Sequence, residues 1–233
     1  MDSVSGLEAP RYEARIVGPW VFALPAFVAC LFAIAAGMMA FKQAQHLDIQ
    51  RLVMTGLEGA LPLAASIGVA TIAAHEPALE VQLSMPRPYS HTALLRCGML
   101  LALTALIEGI TVALLARVWP WTLSQSGGVW ILAWLPTLVW FAGWGGLLAL
   151  LLRNRAASAA ILGVIWVVEL AFHGVFPLYG WTTPLYVYAT MFSPEAPYWL
   201  LNRLELFGTG ILLFIAIWLY LSNPEWRLRG EEY

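Results

Sequence analysis

The sequence predicts an all-α polytopic membrane protein with six transmembrane helices. Three observations carry that expectation. First, 61% of the residues are hydrophobic and 11% are charged, whereas a soluble domain carries roughly 25% charged residues. Second, mean hydropathy is +0.74, so lipid rather than water must face most of the chain. Third, the chain contains several long stretches with almost no charge, and a helix needs about 20 apolar residues to cross a bilayer. Twelve Trp and eight Tyr suit the aromatic belts at membrane interfaces.

Residues 1–15 are polar, with Arg11 and Arg15 just ahead of the first apolar run. Ile16 to Phe41 carries no charge and reads as helix 1. It is longer than the apolar region of a signal peptide, about 7–15 residues, so it is expected to be retained as an anchor. Lys42 to Val53 reads as a short polar loop. Gly56 to Ala74 is helix 2, interrupted by Glu58 and Pro62. Helix 3 runs from about Thr92 to Leu115, and between Arg96 and Arg117 its only charge is Glu108. Trp119-Pro120-Trp121 and the following Ser/Gly run form an interfacial loop. Val129 to Leu152 is helix 4, followed by a tight turn at Arg153-Asn154-Arg155. Gly143, Gly145 and Gly146 in helix 4 suit close helix approach. Helix 5 runs from Ala156 to about Val175 with Glu169 inside it. Phe176 to Arg203 is rich in aromatics and proline and too broken to span. It reads as short interfacial or re-entrant helices, which are allowed at membrane depth only when packed on protein. Leu206 to Leu221 is helix 6, and Trp226-Arg227-Leu228-Arg229 in the tail reads as an interface anchor.

Six spans put both termini on one side. Short-loop Lys and Arg decide which side that is. On the terminal side stand Arg11, Arg15, Arg87, Arg96, Arg153, Arg155, Arg227 and Arg229. On the other stand Lys42, Arg51, Arg117 and Arg203. This excess places the termini in the cytoplasm and the chain in a cell membrane, of the prokaryotic inner-membrane kind. The expected organisation is a cytoplasmic segment at 1–15, a transmembrane domain at 16–222 and a cytoplasmic tail at 223–233. Within the domain, 76–90 faces the cytoplasm and 176–205 is the extracellular re-entrant segment.

Several chemistries are absent. The one lysine, Lys42, follows no glycine-rich run, so the chain lacks a phosphate-binding P-loop. The two aspartates, Asp2 and Asp48, lie outside the spans, which excludes a paired-aspartate intramembrane protease. There is no His-Glu-x-x-His and no Gly-x-Ser-x-Gly elbow. Cys30 and Cys97 form neither a disulfide nor a metal framework, and nothing in the composition points to nucleic acid or to a cofactor. The candidates that remain are the intramembrane acids. Glu108 lies about 16 Å along its helix from Cys97, and Glu169 about 20 Å in from Ala156, at 1.5 Å per residue. An acid at such depth is costly unless it is paired or neutralised. Glu108, Glu169 and His173, which stands four positions past Glu169, are therefore candidates for a polar substrate path. The alternative for each acid is a hydrogen-bonded structural role.

One polar island separates helices 2 and 3: Glu76-Pro77-Ala78-Leu79-Glu80-Val81-Gln82-Leu83-Ser84-Met85-Pro86-Arg87-Pro88. Its period-2 alternation suggests a strand, but a lone strand of about seven residues has no partner. A short amphipathic helix on the membrane surface, ended by the prolines, is the reading preferred.

With six spans and cytoplasmic termini, this island resembles the ABC-2 type permeases, the membrane subunits of a class of ABC transporters. Glu76, Leu79, Glu80, Leu83 and Pro86 stand at the places of that family's acidic motif ahead of helix 3. Pro77-Ala78 departs from the usual Gly-Thr, and Gln82 replaces a leucine. The broken aromatic segment between helices 5 and 6 looks like the family's outer re-entrant helices. The resemblance implies a half-transporter: two permease subunits, identical or related, form an export path for a hydrophobic or amphipathic substrate. A separate ABC ATPase carrying ATP and Mg would dock on the island, which would act as a coupling helix. Val81, Leu83 and Met85 would enter its groove, and Glu76 and Glu80 would meet its basic rim. A haem-exporter-type permease shares this layout. The rivals from other classes are a membrane-embedded lipid-modifying enzyme using Glu108, or Glu169 with His173, and a scaffold without transport.

Overall fold

A computed structural model describes residues 17–74, 89–118 and 129–222, with side chains at 17–74, 90–114 and 130–222. The polar island with Glu76, Leu79, Glu80, Val81, Leu83, Met85 and Pro86 lies outside the described residues. All regular structure among them is helical, without strands. Five helices are long and apolar enough to cross a membrane.

Helix α1, Pro19–Phe41, starts with proline at its first position, where the missing N–H costs nothing. It ends in a Schellman turn. Gln43, at φ 56°, takes the left-handed position usually given to glycine. The Ala44 N–H donates to Met39 O and the Gln43 N–H to Ala40 O. The chain therefore reverses within four residues, and α2, His46–Thr55, begins at once. The segment Lys42–Val53, expected as a loop, is thus mostly helix. Ile49, Val53 and Met54 turn inward from it and are buried, and that apolar face is what orders it. A π-turn, Gly56–Ala60, joins α2 to α3, Leu61–Ala74, so the second crossing is one column from His46 to Ala74.

That column is the centre of the bundle. Its apolar window is 78% buried, against 22% for α1, for α4 (Tyr89–Val118) and for α8 (Trp199–Ser222). Helix α5, Val129–Leu152, packs along α3 and α8. The contact is close because the chain offers small residues there. A methyl on Gly145 would stand 2.6 Å from Ser66 O, and one on Gly210 would stand 3.0 Å from Trp140 N. Ser158, from the helix that follows, adds a hydrogen bond to Gly145 O at 2.9 Å.

Helix α6, Arg155–Ala171, is capped by Asn154, whose Oδ1 accepts from the Ala156 and Ala157 N–H groups at 2.9 and 3.1 Å. It stops at Ala171, short of the Val175 expected, because the chain turns at Phe172–Val175 ahead of Pro177. Its 17 residues span about 25 Å, and it is not among the five long apolar helices. Two 3₁₀ turns, Phe176–Leu178 and Thr183–Leu185, and a single turn α7, Ala189–Phe192, lead to α8. Helix α8 starts at Trp199, seven residues earlier than the sequence suggests. Arg203 is consequently a buried helical residue rather than a loop charge. Arg96 is also buried, within α4. Setting these two buried arginines aside leaves seven cations on the expected terminal side and three on the expected other side, so the sign of the expected bias is unchanged.

Gly145→Val should lower the thermal unfolding midpoint of the detergent-solubilised protein by the equivalent of about 1–3 kcal/mol, the cost of overpacking. The same change at Gly163, which has open space around it, should have a much smaller effect.

Candidate functional site: a buried charge cluster

Three buried charged side chains meet where the broken segment packs on the bundle. Glu58 comes from the π-turn, Glu169 from the last turn of α6, and Arg203 from the second turn of α8. Glu58 and Arg203 are fully buried, and Arg203 Nη2 lies 3.0 Å from Glu58 Oε1. Such a pair is expensive to desolvate and persists only when its remaining hydrogen-bonding capacity is also used.

Here backbone groups, mostly of the broken segment, use much of that capacity, while Arg203 Nε has no hydrogen-bond partner among the described residues. Glu58 accepts the Thr190 N–H at 3.2 Å and the Met191 N–H at 3.0 Å. Arg203 donates to Val187 O at 2.8 Å and to Ala133 O of α5 at 3.3 Å. Glu169 accepts the Val187 N–H at 2.8 Å, so Val187 is gripped through both its peptide groups. Asn202, beside Arg203, donates to Thr183 O at 2.7 Å and Tyr186 O at 3.1 Å. Trp199 Nε1 donates to Thr190 Oγ1 at 3.1 Å. Residues 183–191 form neither a long helix nor a sheet, so their polar groups need such partners in a dry setting.

The π-turn makes the site reachable. It widens the column by one residue and is bracketed by Gly56 and Gly59, both buried. The Tyr188 hydroxyl and the Trp166 indole nitrogen both sit over Gly59, in the space a methyl would take, while Phe32 of α1 closes on Gly56. Burial pushes the hydroxyls of Tyr186 and Tyr188 above the ordinary phenol range, and Glu58 nearby adds to this. Both therefore remain neutral.

The candidates named from the sequence have separate fates. Glu169 joins the cluster. His173 does not pair with it: α6 ends at Ala171, so His173 leaves the helical register that four-residue spacing requires. Its Nδ1 contacts Leu170 O at 3.1 Å, and its ring stacks on Phe192 at 3.8 Å. Glu108 is fully buried in α4, and neither of its oxygens has a hydrogen-bond partner among the described residues. Glu58 gains a partner in Arg203, which the sequence pattern places at the end of the broken segment. The only signal that could have found it was Asn202-Arg203 standing next to an apolar helix with two unmatched acids elsewhere in the chain. Among the described residues, no group of three His, Cys, Asp or Glu side chains could hold a metal ion.

No family model matches the chain, and no curated protein or solved structure matches it either.

Removing one member of the pair, as in Arg203→Leu or Glu58→Leu, should cost about 3–5 kcal/mol in unfolding experiments and open residues 176–198 to protease. Exchanging the charges, Glu58→Arg with Arg203→Glu, should not restore stability. The exchanged carboxylate would face Val187 O, and the exchanged guanidinium would face the Thr190 and Met191 N–H groups.

Proposed function

We propose that this chain is the membrane subunit of an ABC transporter of the ABC-2 permease type, moved by a separate ATPase. The observation that carries the reading is the acidic amphipathic island Glu76–Pro88, set directly between the second crossing and α4. The chain has no P-loop of its own, so work done by it must be supplied through a partner.

The fold supports this in three ways. The island follows Ala74, the end of the most deeply buried column in the bundle, so a push on the island meets a rigid body. Rigid-body shifts of packed elements are a recognised way to pass a signal through a protein. The order of helices suits six crossings if the 17-residue α6 is counted as one, at the short end of the usual range of about 17–25. The broken segment between α6 and α8 is bound to the bundle by buried side chains, as a re-entrant element must be. On this reading two permease subunits enclose the path, and the termini and the island face the cytoplasm of a cell membrane. ATP and Mg reside on the ATPase. The cargo is hydrophobic or amphipathic.

A membrane-embedded enzyme is the second reading, and the geometry favours it less. Glu169 and His173 are each engaged with backbone groups and not with one another, so these two do not form an acid–base pair.

The test is whether an ABC ATPase co-purifies with this chain, together with ATP-dependent efflux in vesicles. Leu83→Asp or Glu80→Arg should abolish association while leaving the unfolding midpoint of the bundle unchanged. Normal association and efflux in the Leu83→Asp protein would rule the reading out.

A further inference from the structure

The chain between α6 and α8 has two parts whose polar groups are met differently. Residues 187–191 depend on the charge cluster. The stretch before them, residues 172–185, draws largely on itself. The Val175 N–H donates to Phe172 O, the Leu178 N–H to Val175 O and the Thr182 N–H to Tyr179 O, at 2.8, 3.1 and 3.0 Å. Thr182 Oγ1 stands 2.6 Å from Phe176 O, and Thr183 Oγ1 stands 3.3 Å from Tyr179 O. Pro177 and Pro184 bring no N–H to satisfy. Turns and threonine hydroxyls thus take up polar groups that water would otherwise solvate.

The side chains of this stretch face outward. Leu178 is 73% exposed, Trp181 75% and Tyr179 53%, with Val175 and Leu185 also exposed. No Asp, Glu, Lys or Arg stands between Glu169 and Glu195. The apolar band continues down α6 through the exposed Val164, Val167 and Val168.

Three helices fix the height of this wedge independently. Glu169 lies 14 positions past Arg155, Glu58 lies 16 before Ala74, and Arg203 lies 19 before Ser222. At 1.5 Å per residue these are about 21, 24 and 28 Å. The exposed cations Arg153 and Arg155 mark one membrane boundary, and the hydrocarbon layer is about 30 Å thick. The cluster therefore stands just inside the opposite boundary. Asn202 holds Thr183 O at 2.7 Å, which ties the wedge to the same level.

We propose that residues 172–185 form a lipid-contact wedge at that boundary. Val175, Leu178 and Leu185 bear on acyl chains, while Tyr179 and Trp181 lie at the ester level, where a ring with one polar end is favoured. The proposal rests only on the chain lying in a bilayer and not on transport.

The experiment places a nitroxide spin label at Leu178→Cys in the full chain in phosphatidylcholine nanodiscs. Cys30→Ala removes the exposed native thiol, and Cys97 is buried. Collision with oxygen, which dissolves in lipid, is compared with collision with a water-soluble nickel chelate. Oxygen should dominate by about ten-fold, as at a site that hydrocarbon rather than water surrounds. A label at Trp181→Cys should show the same preference by a smaller margin, and it carries the test if Leu178→Cys does not fold. Nickel collision equal to or above that of oxygen would put the wedge in water and overturn the proposal. Low collision with both would mean that protein, such as a second copy, covers the wedge, which would overturn it equally. No ATPase is present, so this outcome is distinct from failure of ATPase association.

Discussion

The fold depends on one constraint: the irregular backbone between α6 and α8 must find its hydrogen-bond partners inside the protein. Tyr186 to Ala189 are fully buried in the protein, where backbone polar groups have no water to satisfy them. Glu58 and Arg203 meet the demand jointly, and each needs the other to be tolerated at zero exposure. Glu58 supplies acceptors to two successive N–H groups, and Arg203 supplies donors to carbonyls on two elements. Electrostatic pairing and backbone satisfaction are therefore one arrangement. The ion pair is worth less as a source of net stability than as a device fixing which conformation the segment adopts.

The positions of helices were largely legible in the sequence because apolar length is a strong signal. The exceptions have identifiable causes. Residues His46–Val53 look polar in a list, yet Ile49 and Val53 stand one turn apart, and their burial makes the stretch helical. The early start of α8 was hidden because Asn202 and Arg203 resemble loop residues until their partners are known. Those partners are carbonyls of Thr183, Tyr186 and Val187 and a carboxylate 145 positions earlier. No local pattern encodes such a contact. The acids were legible as anomalies, since charge inside an apolar run is rare, but what satisfies each one was not.

Three acids in similar sequence settings end in three different environments. Glu58 is paired with a cation and two N–H groups. Glu169 accepts one N–H and lies near the same cation. Glu108 has nothing among the described residues. Burial alone therefore does not distinguish a structural acid from a binding one. The useful discriminator is whether the lone pairs are spent. By that measure Glu58 and Glu169 belong to the architecture, and Glu108, enclosed with its lone pairs unspent among the described residues, stands apart from them.

The π-turn ties these environments together. Its extra residue turns Glu58 toward the broken segment, and its two glycines let Phe32 on one side and Tyr188 with Trp166 on the other approach the backbone. The same turn contributes Gly56 and Leu57 to the wall of a small apolar cavity between α1, the column and α4. A π-turn is also where a helix can shift its register with the loss of few hydrogen bonds. The column below it, α3, is packed against α5 along its length and ends at the polar island. If that island is pushed by a partner, α3 moves as a rod, and the first irregular point along it is the turn that holds both the segment and the small cavity. Motion entering at residue 75 would then be felt at the ion pair and at the cavity together, through one short piece of main chain.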